Sequence, residues 1–171
     1  FVEADLMALD AACVLEALPA STIAPVSANR LPFCVGTLAR HSQGAVAGYV
    51  WVFDLCALLK ARPARITAQS QVIVMEQGGR RIGLLVSDLL GVQHFAARRF
   101  AAAPRMHGGA PAIVGEIIQA QQADGTGLLV QCLDIAALMQ LLQTCAANQR
   151  QAAEALQSQQ YGTPENEESF A

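Results

Sequence analysis

The strongest constraint on the fold is a segment that occurs twice, 80 positions apart. VFDLCALL at 52–59 returns as CLDIAALM at 132–139, which aligns Asp54 with Asp134. Each acid follows a strand-like apolar run and precedes a helix-like one, where a side-chain oxygen can cap the first amides of a helix. We therefore predict that both acids are helix N-caps. A catalytic carboxylate pair would need both acids in one cleft beside a reactive centre, which nothing else in the sequence indicates.

Two further matches extend this repeat in the same order. LPFCVG at 31–36 resembles APAIVG at 110–115 at an offset of 79, and ALDAACVLEA at 8–17 more weakly resembles GLLVSDLLGV at 83–92 at an offset of 75. A pattern that occurs twice indicates two related halves rather than a solenoid. We predict one domain over 1–145, with halves at roughly 1–65 and 66–145 that can exchange edge strands.

Composition restricts the class of partner. Hydrophobic residues make up 53% of the 171 positions, which is ample for a core. Charged residues make up only 15%, against roughly 25% in an average domain, and such a surface favours protein partners. A net charge of -3 gives no basic field for nucleic acid. The longest nearly apolar run, 45–59, is shorter than the roughly 20 residues that span a bilayer, so we expect no membrane insertion.

The cysteines are scattered singly among aliphatic residues and form no C-x-x-C pair. They are Cys13, Cys34, Cys56, Cys132 and Cys145. An odd, scattered set is typical of reduced core cysteines in a cytoplasmic protein. The functional alternative is a small cysteine hydrolase in which His41 holds Cys34 as a thiolate. The histidines lack metal-ligand spacing, so we expect neither a metal nor another cofactor.

Short apolar runs dominate the chain up to residue 133 and indicate strands. Their bounds are 6–15, 45–53, 71–75, 81–86 and 127–133. Gly78-Gly79 and Asp124-Gly125 can supply the positive φ of tight hairpin turns. We therefore predict a mainly β fold of two small barrels with short helices, related by an approximate twofold.

Two segments that connect the predicted strands can also be interpreted from the sequence. Pro63 should end the helix that begins after Asp54, because proline removes a backbone donor. The segment 95–109 contains Arg98, Arg99 and Arg105, and we interpret it as a solvated surface loop, with binding of an acidic partner as the alternative.

From Ile135 the pattern becomes helical and predicts a helix to about residue 160. Its apolar stripe is Ile135, Leu138, Leu142, Cys145, Gln149, Ala152 and Leu156. The first half can pack on a barrel, and 146–171 should contain the protruding helix end followed by a disordered acidic tail. A short coiled contact between the helix end and another chain is the alternative.

Successive blocks of the sequence resemble the CheW family of chemotaxis adaptor domains. These blocks are LMALDAACVLEAL, STIAPVSANRLPFCVG, VWVFDLCALL, VIVMEQGGRRIGLLVSDLLGV, AIVGEIIQAQ and LLVQCLDIAAL, and they cover about residues 1–142. The resemblance implies two five-stranded SH3-like barrels, in agreement with the internal repeat. The most specific block is RRIGLLVSDLLGV, where Ser87-Asp88 stand in place of the acidic pair usual in the family.

The resemblance also implies a function. It implies a non-enzymatic cytoplasmic scaffold, recruited to membrane receptor arrays, that couples a chemoreceptor tip to a CheA-type histidine kinase. The resemblance implies that aliphatic side chains in the groove between the barrels bind the partner, and that Arg40 belongs to a turn that shapes the receptor-facing region. The implied partner-binding residues are Val14, Leu18, Ile23, Arg40, Val86, Leu90 and Val92. The alternative within the resemblance is the equivalent regulatory module of a kinase or of a fused adaptor protein.

One segment departs from the family pattern. GTLARHSQGAVAGYVWVFD at 36–54 has no glycine after Arg40, carries Trp51 at the usual proline position, and forms a longer loop than in the family. Because this turn helps to shape the receptor-facing region, a divergent pathway such as pilus-driven surface motility is implied.

Overall fold

The computed structural model describes residues 6–26, 31–104, 113–121 and 125–160. In chain order the strands and helices are β1 (Met7–Ala8), β2 (Val14–Pro19), β3 (Cys34–Ser42), β4 (Ala45–Asp54), α1 (Leu55–Lys60), β5 (Gln71–Gln77), β6 (Arg80–Val86), β7 (Phe100–Ala102), β8 (Val114–Gln121), β9 (Gly127–Leu133) and α2 (Ile135–Gln160). Within these ranges, three 3-10 helices lie at Ala11–Cys13, Ala20–Thr22 and Ala97–Arg99. The predicted mainly β fold with short helices and a C-terminal helix is confirmed.

The first sheet contains five strands in the order β2-β5-β6-β4-β3. Its two edges are joined where Ala24, which follows β2, exchanges backbone hydrogen bonds of 2.8 and 2.9 Å with Thr37 of β3. The close approach needs Gly36, because a Cβ there would lie 2.4 Å from the carbonyl oxygen of Ala24. This bridge curls the sheet into a barrel.

The second sheet has the order β1-β9-β8-β7, with β1 parallel to β9. Within the described residues it has four strands, compared with the five that the family resemblance implies for each barrel.

Hydrogen bonding confirms that the β3–β4 and β8–β9 hairpins are equivalent. Each hairpin begins with an irregularity in register, between Cys34 and Gly36 in the first and between Val114 and Glu116 in the second. The N–H of Asp54 donates to the carbonyl of Phe33, and the N–H of Asp134 donates to that of Ile113, each at 2.8 Å. The structural offset is therefore 80 throughout, and the offset of 79 from the sequence alignment was one residue short here.

The weakest sequence match, at an offset of 75, also corresponds to a structural equivalence. Ala8 of β1 lies beside Cys132 in parallel register, and Gly83 of β6 lies beside Val52 in parallel register. Since Val52 and Cys132 are themselves equivalent, β1 and β6 hold the same place in the two sheets. Each strand joins the sheet formed mainly by the other half. The domain limits at 1–65 and 66–145 stay a prediction.

Two expectations about local structure were wrong. The run 6–15 is not one strand, because a 3-10 helix at Ala11–Cys13 separates β1 from β2 and the Asp10 side chain accepts from the N–H of Ala12 at 2.9 Å. The segment 95–109 is not wholly a loop, since it contains a 3-10 helix and β7. The 36–54 segment, which the sequence marks as a departure from the family pattern, belongs to the β3–β4 hairpin. This hairpin turns at Gln43-Gly44, with φ of 51° and 83°, and its register shifts between Arg40 and His41.

The other predicted turns and the terminal helix can be compared directly. Gly78 and Gly79 have φ of 58° and 74° in the β5–β6 hairpin, as expected. Gly125 has φ of 83° before β9, whereas Asp124 lies outside the described residues, as do Arg105 and the acidic tail. The helix after Asp54 ends at Lys60, before Pro63. Helix α2 spans 135–160 as predicted.

Two apolar clusters hold these elements together. The first fills the barrel of the first sheet and consists of Ala20, Leu38, Val50, Val52, Val72, Val74 and Leu85. The second joins the outer face of that sheet to β9 and α2, and consists of Cys34, Phe53, Leu55, Ile73, Met75, Leu84, Leu133, Ile135, Leu138, Met139 and Leu142. The predicted apolar stripe of α2 is therefore core in its first part, from Ile135 to Leu142. Further along the stripe, Cys145 and Gln149 are half-buried and Ala152 is exposed, while the side chain of Leu156 lies outside the described part. None of the helices within the described ranges contains an apolar stretch of the length that a membrane span requires.

Candidate partner-binding surface

The two repeated acids are helix caps, as the sequence predicted. Oδ1 of Asp54 accepts from the N–H of Ala57 at 3.1 Å, and Oδ1 of Asp134 accepts from that of Ala137 at 2.9 Å. Asp54 is only 2% exposed, and its Oδ2 also accepts from the N–H of Ala64 at 2.7 Å. The first acid therefore fixes both the start of α1 and the chain that leaves it.

The geometry around Cys34 does not support a cysteine nucleophile. The thiol is buried, its Sγ donates to the carbonyl of Gly36 at 3.5 Å, and burial raises the pKa of the Cys34 thiol. His41 is exposed near the far end of the same strand, roughly 20 Å away at about 3.3 Å per residue. An imidazole at that distance cannot take the thiol proton, because proton transfer needs contact at about 3 Å.

Two of the predicted binding residues lie at the same end of the first sheet. Across the three neighbouring strands, Leu18 of β2 is level with Leu85 of β6, because both pair with Val72 of β5. One residue further along, Pro19 is level with Val86, because both pair with Gln71. Two interstrand spacings put the backbones of Leu18 and Val86 about 10 Å apart. Both side chains are half-buried, Leu18 against the barrel interior and Val86 against the cluster beneath α2.

The chain leaving this end of β6 exposes aliphatic side chains. The residues between β6 and the next 3-10 helix are not assigned to a strand, and Leu89, Leu90 and Val92 there are 37%, 68% and 77% exposed. Large exposed apolar groups close together are typical of protein interaction sites. We call these three residues the aliphatic segment; two of them were predicted as binding residues.

The remaining predicted residues do not join this surface. Val14 pairs with Met75, which pairs with Ile82, at the opposite end of the sheet from Val86, and it packs against the core. Ile23 covers Gly36, with its Cγ2 2.5 Å from the position of a Cβ there, and packs on the barrel interior.

Arg40 is exposed on β3 opposite Gly48, near the hairpin turn. Strand β4 runs parallel to β6, with Asp54 beside Leu85, so the turn that precedes β4 lies at the end remote from Val86. The structure therefore does not bring Arg40 together with the aliphatic segment.

Sequence reasoning missed an aromatic pair on the β3–β4 hairpin. Tyr49 and Trp51 are 68% and 44% exposed, whereas Val50 and Val52 between and beside them are buried. Their cross-strand neighbours are Ala39 and Thr37. The alternation of aromatic and valine side chains over 49–52 is the signal that would have placed the aromatic residues on the outer face.

Comparison with known proteins agrees with this architecture. The family model described as "CheW-like domain" matches residues 1–143. Among solved structures, the scaffolding protein TtCheW from Thermoanaerobacter tengcongensis is similar with a TM-score of 0.58 and 19% sequence identity, over 75% of this chain and 77% of that chain. No curated protein matches the chain. The structural match shows a shared fold, and the family match covers most of the chain.

Proposed function

The chain belongs to the CheW-like domain family of chemotaxis adaptors, and we propose that it couples a chemoreceptor tip to a CheA-type histidine kinase through the aliphatic segment and the neighbouring end of the first barrel. The work of such a protein is to hold two partners together, and it needs surfaces rather than a catalytic centre. The proposed location is the cytoplasm, at receptor arrays.

The observation that supports the receptor-binding role is the exposure of Leu90 and Val92 beside the strand end that contains Leu18 and Val86. A receptor tip is expected to present an amphipathic helix, and such helices bind by laying apolar side chains against an apolar surface. Fully burying a leucine or valine contributes roughly 1.5–3 kcal/mol. Burying both side chains would therefore account for a large part of a micromolar affinity.

Exposure also decides which residues should be changed in a test. Leu18 and Ile23 are half-buried and pack on the barrel interior, so serine at these positions would weaken the fold as well as any binding. Leu90 and Val92 are largely in solvent already, so their replacement by serine should leave stability nearly unchanged. The pair Leu90→Ser/Val92→Ser therefore separates binding from folding.

The experiment measures binding of a receptor cytoplasmic helical-hairpin fragment by isothermal titration calorimetry. We expect Leu90→Ser/Val92→Ser to weaken binding at least about tenfold, since the two lost burials together are worth more than the roughly 1.4 kcal/mol of a tenfold change. The matched control is Val46→Ser/Leu129→Ser, which removes the same two side-chain types from sites that are 52% and 62% exposed elsewhere. Equal affinity for both folded double variants would refute the assignment of this surface.

A further inference from the structure

Within the part of the chain that the structure describes, β7 is an edge strand of the second sheet with no strand on its outer side. Phe100–Ala102 pairs with β8 on one side, and all three of these residues are exposed. The N–H of Ala103 donates to the carbonyl of Gly115 at 3.1 Å, so by strand alternation the N–H and C=O of Ala102 point away from β8. The N–H of Phe100 is used by the preceding 3-10 helix, where it donates to Ala97. Ala102 therefore presents a backbone donor and acceptor that an added strand could pair with.

Two arginines stand immediately before this edge. Arg98 and Arg99 lie in the 3-10 helix Ala97–Arg99, and both are exposed. Among the residues that the structure describes, neither guanidinium forms an ion pair. Glu116, which stands across from Ala102, lies instead beside Cys132, whose thiol pKa is raised by burial and by that carboxylate.

The internal repeat shows that the fold does not require these charges. In the first barrel, the 3-10 helix Ala20–Thr22 precedes Ala24, which bonds to Thr37. In the second barrel, the 3-10 helix Ala97–Arg99 stands in the same way before Ala101, which pairs with Ile117. Thr37 and Ile117 are equivalent at the offset of 80, so Ser21 and Thr22 occupy the places of Arg98 and Arg99. The same turn forms with uncharged side chains, which leaves the arginines without a structural reason.

We propose that β7 with Arg98 and Arg99 is a docking edge for an extended acidic segment of a partner protein. The segment adds beside β7 by backbone pairing at Ala102, and its carboxylates meet the two guanidinium groups, which suit planar bidentate pairing. A lipid or nucleic-acid partner fits less well, because the chain has a net charge of -3 and the edge offers backbone pairing that phosphates cannot use. The docking edge shares no residue with the proposed receptor-binding surface.

The test uses a fluorescein-labelled peptide of alternating glutamate and valine, and a second peptide with glutamine in place of glutamate. Binding to the intact chain is followed by fluorescence anisotropy up to about 1 mM peptide, the range of weak single-segment affinities. Vesicles containing phosphatidylserine are examined in parallel by co-sedimentation. The variants are Arg98→Gln/Arg99→Gln and Ala102→Pro, which removes the outward N–H at an edge position that tolerates proline.

The proposal predicts that the glutamate peptide binds and that Arg98→Gln/Arg99→Gln weakens it about 3- to 10-fold, as expected for two exposed ion pairs. The control Arg62→Gln/Arg65→Gln makes the same charge change at exposed sites on either side of Ala64, which packs against the first barrel, and should leave binding unchanged. Equal binding of the glutamine peptide, an equal loss in the control, or binding of vesicles alone would overturn the proposal. Should Ala102→Pro fail to fold, the arginine pair and its control decide the question.

Discussion

Removal of the Asp54 side chain should destabilise the protein more than removal of its repeat counterpart. Asp54 is buried and accepts from two backbone N–H groups, whereas exposed Asp134 accepts from one within its own helix. Losing an N-cap costs about 0.5–2 kcal/mol. Leaving the N–H of Ala64 unpaired in a partly buried site costs about a further 1–3 kcal/mol. We therefore expect a loss of about 2–4 kcal/mol for Asp54→Ala and about 1 kcal/mol for Asp134→Ala.

The measurement is urea unfolding followed by circular dichroism and by the fluorescence of Trp51, the single tryptophan, which lies in the same strand as Asp54. Thermal unfolding should show a difference of about 2–4 °C between the variants for each kcal/mol that separates them. Asp54→Asn retains one acceptor oxygen and should fall between Asp54→Ala and the parent chain. Equal losses for the two alanine variants would show that the bond to Ala64 does not stabilise the first barrel.

The packing of the first barrel and α2 also determines how the protein should respond to four other changes. Gly36→Ala should prevent the close approach of Ala24 and lower the stability of the fold strongly. Gly115→Ala should be nearly neutral, because a Cβ at position 115 would lie 3.6 Å from Asp134, and thermal unfolding distinguishes the two variants. Deleting 149–171 should leave both sheets folded, because Arg150 to Glu154 are exposed; loss of the cooperative transition would show that the helix end belongs to the core. Cys34 should resist a thiol reagent under native conditions, because it is buried with a raised pKa, and rapid labelling would contradict its core role. Because that raised pKa means the unfolded thiol ionises first, stability should also fall as pH rises above 9.0.

Much of the fold could be predicted because its signals are local. Strands β4, β5, β6 and β9 bury at least one face and so show apolar runs, while α2 shows steps of three and four because one stripe packs on the first sheet. The repeated acids were readable because capping requires an oxygen at a fixed place. Strand β7 could not be predicted from the sequence, because a short edge strand with no buried side chain shows no alternation of apolar and polar residues.

The binding surface could be predicted only in part, since exposure depends on tertiary packing. Val14, Ile23, Leu90 and Val92 are all aliphatic and cannot be told apart by residue type. In the structure, however, Val14 and Ile23 pack against the core, whereas Leu90 and Val92 are exposed to solvent. The 3-10 helix between β1 and β2 was hidden for a related reason: the whole run 6–15 is apolar enough to read as one strand. Residue type sets which groups can be buried, and the pairing of distant strands decides which of them are.

The proposed adaptor role requires this chain to bind two partners at once. The most direct measurement is analytical ultracentrifugation of the full chain mixed with the regulatory domain of a CheA-type kinase and a chemoreceptor cytoplasmic fragment from the same genome. We expect a ternary complex that contains all three components, and we expect Leu90→Ser/Val92→Ser to remove the receptor fragment while the kinase domain stays bound. Sedimentation of the chain with only one partner, or with neither, would contradict the adaptor role.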